Sequence, residues 1–246
     1  MVYKKIKNVR LHMDVTFPKD RGPYPCAVFF HGGGWTQGQK EDIKRFPWII
    51  EPLLNANIAV ASVQYRLVGK NGGEFPAGVE DCIHALTYLD TLPQIKKDRK
   101  AVWGISSGAY MALMSVLYQP VCNLHTPVSA ILALCAPTDL LSLAPKTQPL
   151  AHAFLANTHS EFFNPINLLA QAQQKPPMMI VHGSADEYVP VDQSRSLYMQ
   201  AMRSGFYAQY LEAENAGHTF QSVGGRIYPP MQELFKQMSQ FLIQNI

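Results

Sequence analysis

The stretch Lys100-Ala101-Val102-Trp103-Gly104-Ile105-Ser106-Ser107-Gly108-Ala109-Tyr110-Met111-Ala112-Leu113-Met114 decides the fold. Residues 100–103 are short and strand-like, 104–108 make a turn, and 109–118 carry apolar residues at helical spacing. Gly104-Ile105-Ser106-Ser107-Gly108 matches the G-x-S-x-G pattern, in which a sharp strand-to-helix turn forces the serine out above a sheet. The two glycines remove side chains that would collide as the strand reverses, and the hydroxyl can then stand exposed on a strained backbone. The helix beginning after Ser106 aims its free N–H groups at the same spot.

Composition can produce five such residues by accident, so the neighbours matter. Apolar runs and helix-like patterns alternate through the whole chain, which signals a mostly parallel sheet with crossover helices on both faces. Residues 9–17 alternate as a strand, 26–30 form a short buried strand, and 44–55, 79–92, 191–204 and 230–243 read as helices. Further strands are expected at 58–65, 130–135, 178–182 and 208–213. The Pro-rich stretch 137–174 is irregular and could serve as a short cap on a single domain spanning 1–246.

The bulk properties narrow the function classes. With 47% hydrophobic and 16% charged residues the composition is globular, and a net charge of +3 is spread along the chain. The densest basic stretch, 96–100, includes Asp98 and no stacking aromatics, so it reads as a solvated loop and not a nucleic-acid surface. No apolar run approaches the ~18 residues of a membrane span, and no signal-peptide core follows the N-terminal lysines; a cytoplasmic protein is expected. Cys26, Cys82, Cys122 and Cys135 are widely spaced among apolar neighbours and read as small buried hydrophobes, with neither metal nor redox chemistry expected.

The chemistry-bearing residues fall around Ser106. His31-Gly32-Gly33-Gly34-Trp35 ends the strand at 26–30, where consecutive glycines let main-chain N–H groups approach a ligand. Gly33, Gly34 and Ser107 are the candidate donors to an oxyanion. A serine hydroxyl needs a histidine to take its proton and a carboxylate to orient that histidine, in chain order Ser, acid, His. Five histidines follow Ser106: His125, His152, His159, His182 and His218. His218 is favoured because its loop, Ala216 to Phe220, lies between the last strand and the last helix; for the other four a surface or packing role is the better reading, although His152 and His159, in the possible cap, could contact substrate. Asp186 follows the strand at 178–182 and suits the acid, with Asp139 and Glu187 as alternatives. Trp35, Tyr110 and Tyr188, with Phe154, Phe162, Phe163 and Phe220, could line a substrate pocket.

Together with Tyr65-Arg66-Leu67 and Phe75-Pro76-Ala77, these motifs resemble in type and order those of α/β-hydrolase fold esterases, over nearly the whole chain. The likeness is greatest to small bacterial carboxylesterases of the hormone-sensitive-lipase-like and acetyl-esterase-like groups. It implies a Ser106–Asp186–His218 triad, no cofactor and a small-molecule ester as partner; charge and hydropathy give no nucleic-acid or membrane partner, and a homo-oligomer is left open. Ser107 and Ala109 depart from the Ala and Gly often seen around the serine, and Tyr110 sits where one subgroup often has histidine. The short cap and the lack of a long N-terminal helical arm imply short acyl groups. Amide, formamide or peptide hydrolysis could use the same site, and a non-catalytic receptor is the reading from another class.

Overall fold

A computed structural model describes every residue of the chain except 157 and 159. His159 therefore lies outside the described residues. Eight strands, β1 (Val2–Ile6), β2 (Val9–Thr16), β3 (Tyr24–Phe30), β4 (Ala59–Val63), β5 (Ile95–Ile105), β6 (Ala130–Leu134), β7 (Met178–Gly183) and β8 (Ala208–Ala213), form one sheet in the order β1-β2-β4-β3-β5-β6-β7-β8. From β4 to β8 every neighbouring pair is parallel, while β2 runs antiparallel to both β1 and β4. The inner parallel strands β3, β4, β6 and β7 are nearly continuous apolar runs because helices cover both of their faces.

Helices α1 (Pro47–Asn55), α2 (Ala77–Leu89), α3 (Ser107–Leu117), α4 (Gln119–Cys122), α5 (Gln148–Leu155), α6 (Pro165–Leu168), α7 (Asp192–Arg203) and α8 (Met231–Asn245) alternate with the strands. Alternate strand residues divide the core. Cys26, Val28 and Phe30 of β3 pack with α2, α3 and α7, whereas Ala27 and Phe29 face the layer of α1 and α8. All eleven residues of α3 are buried, which explains why its composition is apolar on every side. Among the described residues no helix is long and apolar enough to cross a membrane.

Several boundaries differ from the sequence expectation for identifiable reasons. The helix expected at 44–55 is divided, because Pro47 fits the first position of α1 and the preceding Lys40–Arg45 forms a separate 3-10 helix. The basic stretch 96–100 is not a simple solvated loop: it belongs to β5, which advances five residues from Ile95 to Lys100 while its partner β3 advances two. The excess residues bulge outward and are exposed, yet Lys100 itself is fully buried, with its ammonium on Asp90 and the Lys97 carbonyl. Thr126 Oγ1 donates to the same Asp90 carboxylate at 2.7 Å. The segment β1, unassigned from sequence, pairs with β2. Stretch 137–174 holds α5, α6 and a one-turn 3-10 helix among loops.

Strand order creates the place for a site. The chain leaves β3 to form β4 on one side, then returns to lay β5 on the other, so the topology switches between β3 and β5. Crevices outside the carboxyl ends of strands at such a switch are where open α/β sheets bind ligands. Phe30 pairs with Gly104, so the loop after β3 and the turn after β5 emerge side by side. A Cβ on Gly108 would lie 2.1 Å from the Phe30 carbonyl oxygen and 2.6 Å from that of His31, and neither backbone can yield without moving β3. Gly108→Ala should therefore cost about 3 kcal/mol, the upper range for an overpacked site. Gly69→Ala, in open space at φ +70°, should cost only about 1 kcal/mol; denaturant melts of the two variants measure the difference.

Candidate active site

Ser106 sits between β5 and α3 with φ 57° and ψ −129°, a conformation costing roughly 1–3 kcal/mol for a residue with a side chain. Three main-chain bonds hold it there. Its N–H donates to the Leu134 carbonyl at 2.8 Å, and its carbonyl accepts from the N–H groups of Ala109 (2.9 Å) and Tyr110 (3.1 Å). The expected turn is present, with α3 beginning at Ser107, two residues earlier than expected.

The glycine loop runs directly beside it. A Cβ on Gly32 would stand 3.5 Å from Ser106 Cβ, so the loop passes at van der Waals distance. Gly33 (φ 120°) and Gly34 (φ 57°) turn the chain, and the Gly33 carbonyl accepts from the N–H groups of Thr36 and Gln37. Among the described residues the N–H groups of Gly33, Gly34 and Ser107 donate to no protein acceptor, the last because it opens a helix. These three residues line the same cavity as Ser106.

A buttress stands behind the loop. Tyr65 stacks on His31 with ring centroids 4.3 Å apart and donates its hydroxyl to the His31 carbonyl at 2.6 Å. The next residue, Arg66, forks onto fully buried Asp81 through Nε (2.7 Å) and Nη2 (2.9 Å), and Lys4 adds a 2.7 Å contact to the same carboxylate. Val68 N–H then meets the Trp35 carbonyl at 2.9 Å. Asp81, beside Glu80 and among the buried apolar residues of α2, is the signal the sequence offers for it. Burial lowers the His31 pKa and favours its neutral form.

Asp186 and His218 come together. A Cβ on Gly183, at the end of β7, would lie 2.3 Å from the Ala216 carbonyl, and this close approach joins the loops after β7 and β8. His218 Nδ1 donates to Asp186 Oδ2 at 2.6 Å. The other oxygen, Oδ1, accepts the N–H groups of Tyr188 (2.8 Å) and Val189 (3.0 Å). His182, expected to be a packing residue, is fully buried and approaches Asp186 Oδ2 through Nε2 at 3.1 Å. The histidine and the acid stand four apart across the turn that ends β7, a spacing readable in the sequence but not informative until the turn is known.

The alternatives lie elsewhere. Asp139 accepts from the Leu141 N–H, Ser142 and Asn164 and shapes its own turn, while Glu187 is exposed and pairs with Lys146 at 2.7 Å. His125 and His152 are exposed. Burial would push the Asp186 carboxyl up, but hydrogen bonds from His182 and His218 outweigh it and hold the group well below the usual carboxylate range.

A cavity of about 790 Å³ opens over these groups, with Ser106, Ser107, Gly33, Gly34 and His218 in its wall. Among the described residues no hydrogen bond joins Ser106 to His218; they share the cavity. Trp35 and Tyr188 also line it, as expected. Tyr110 does not: it is fully buried behind Trp35, edge-on to Trp35 and Phe154, with its hydroxyl on the Phe163 carbonyl at 2.8 Å. Its position on the all-buried α3 takes it into the core. Phe154 and Phe220 are core residues too. Cys135, His182 and Asp186 have ligand-type atoms within 4.8 Å of one another, but hydrogen bonds occupy both nitrogens of His182 and both oxygens of Asp186, and burial raises the Cys135 pKa, so the donor set does not fit a metal.

The depressed Asp186 pKa has a definite sign. Its contribution to stability is present above the unfolded value near ~3.9 and lost as pH falls toward the folded one. Asp186→Asn should be less stable than the parent at pH 7, with the gap narrowing progressively below about pH 4, as followed by urea melts across that range.

Comparison with known proteins places this geometry. The BD-FAE family model matches residues 13–201. Esterase LipC of Mycobacterium tuberculosis is 24% identical over 225 residues, 82% of this chain and 55% of that protein; the chain spans about half or less of the length of the first curated relatives it matches. A truncated carbohydrate esterase from gut microbiota superposes with a TM-score of 0.79 at 19% identity, covering 100% of this chain and 94% of the other. An esterase of the Planctomycetes species Thermogutta terrifontis, with propionate bound, gives 0.80 at 22% identity, covering 99% and 93%. These likenesses show the α/β-hydrolase fold, and with a family match over three-quarters of its length, the chain belongs to the BD-FAE family.

Proposed function

We propose that the protein is a serine carboxylesterase acting on short-chain acyl esters. The observation that carries this reading is the 2.6 Å bond from His218 Nδ1 to Asp186, which leaves Nε2 as the free imidazole nitrogen in a cavity shared with Ser106. Ser106 Oγ attacks the ester carbonyl carbon as His218 Nε2 takes its proton. The carbonyl oxygen becomes an oxyanion facing the N–H groups of Gly33, Gly34 and Ser107, donors already held in position and worth a few kcal/mol of barrier. Collapse of this intermediate expels the alcohol oxygen, which receives the proton from His218, and leaves an acyl group on Ser106. Water, deprotonated by the same nitrogen, then releases the acid.

The short-acyl reading rests on the residues that close the cavity. Leu150 of α5 lies against the glycine loop, so that a Cβ on Gly34 would fall 2.6 Å from Leu150 Cδ1. Leu143, Trp35 and Val189 add apolar wall beside the serine. The segment 137–174 acts as a short cap, and propionate in the Thermogutta terrifontis relative is a ligand of that size.

Ser106→Ala should lower kcat/KM on a p-nitrophenyl ester by at least about 10⁴-fold while the protein stays folded, and a fluorophosphonate should label Ser106 of the parent stoichiometrically. A folded parent that resists labelling would sink the assignment. Across an acyl series from C2 to C12, kcat/KM should peak among the short chains; a strong rise beyond about eight carbons would refute the substrate class.

A further inference from the structure

Asp186 Oδ2 is shared by two imidazoles. Only one of them, His218, lines the cavity; the other, His182, is completely buried. The surroundings of His182 determine its tautomer. Nε2 lies between two oxygens that can only accept, Asp186 Oδ2 at 3.1 Å and the Val189 carbonyl at 3.0 Å, so this nitrogen carries a hydrogen. Nδ1 lies 2.6 Å from Ser194 Oγ, a fully buried hydroxyl with no other partner among the described residues. The hydroxyl donates its proton there, leaving a neutral Nε2–H imidazole whose donor end is polarised toward Asp186.

We infer that His182, locked by Ser194, is a positioning residue for the esterase reaction: it holds Asp186 Oδ2 in place and draws off part of its negative charge, and so sets how tightly Asp186 retains a proton on His218. The inference rests on the serine-esterase reading above. A carboxylate that receives one hydrogen bond fewer presents more charge to the remaining imidazolium, which then persists to higher pH and leaves less free base. His182 thus moderates the acid while keeping it aimed.

Other titratable and charged groups stand around the pair. Cys135, from the loop after β6, is a thiol kept protonated by burial and the nearby carboxylate. Tyr188 and His218 belong to the site itself. Glu212 on β8 is paired with Arg195 of α7 at 2.6 Å, which offsets its charge. None of them replaces the His182 N–H.

The test compares His182→Leu, which removes the donor, with His182→Gln, whose amide N–H can reach the same oxygen, in kcat and KM measured from pH 5 to 9. His182→Leu should lose about tenfold or more in kcat with KM little changed, and the acidic limb of its kcat/KM profile should move up by roughly half a pH unit or more. His182→Gln should restore most of the rate and the parental limb. An unshifted limb in folded His182→Leu, or equal losses in both variants with unshifted limbs, would overturn the inference. If His182→Leu fails to fold, histidine ¹⁵N spectra of the parent, assigned by loss of a signal in His182→Gln, decide: at a pH of full activity His182 should be the Nε2–H tautomer. An Nδ1–H tautomer refutes it. Fluorophosphonate labelling of the parent separates the two claims, since labelled Ser106 with an unshifted limb rejects only the role of His182.

Discussion

Everything at the site depends on how closely the end of β3 approaches the start of α3. The Phe30 and His31 carbonyls occupy the space a side chain at position 108 would need, and Gly32 brushes Ser106. That proximity brings two stretches, separated by some seventy residues of sequence, into the wall of one cavity. It also accounts for the backbone strain at Ser106, because the strand has no room to turn gradually. The three main-chain bonds on Ser106 and the rigid parallel pairing of β3 with β5 are what sustain such a conformation.

Two buried aspartates support this junction by different means. Asp81 faces cations: Arg66 forks onto it and Lys4 completes the pairing, which pins the Tyr65–Val68 segment behind the glycine loop. Asp186 is surrounded by hydrogen-bond donors without a permanent positive charge, namely two histidines and two peptide N–H groups. A guanidinium in place of those donors would neutralise the carboxylate outright. Peptide and imidazole donors keep it ionised while leaving its charge available to His218.

Residues whose meaning is local were legible in the sequence. The glycines flanking Ser106, the glycine run after β3 and the loop placement of His218 follow from turn geometry and chain order, and the alternating apolar runs give the parallel sheet. What escaped depended on contacts across the fold. Tyr110 has the composition of a pocket wall, and only the burial of α3 on all sides puts it in the core. His182 has the composition of a strand end, and only the turn at Gly183 brings it to Asp186. Lys100 looked solvated because its partner, Asp90, lies across a bulge whose size no periodicity records. Asp81 required knowing that the loop after β4 folds back over α2.

The contact between Leu150 and Gly34 joins two parts of the chain that answer to different constraints. Gly34 belongs to a loop fixed by sheet register, by Tyr65 and by the neighbouring turn, whereas Leu150 is carried by α5, outside every strand ladder. Exchange of side chains along 143–150 can widen or narrow the cavity without touching the strand pairing that holds Ser106 and its neighbours. The chain thus separates a centre fixed by strand pairing from a wall carried by one short helical segment.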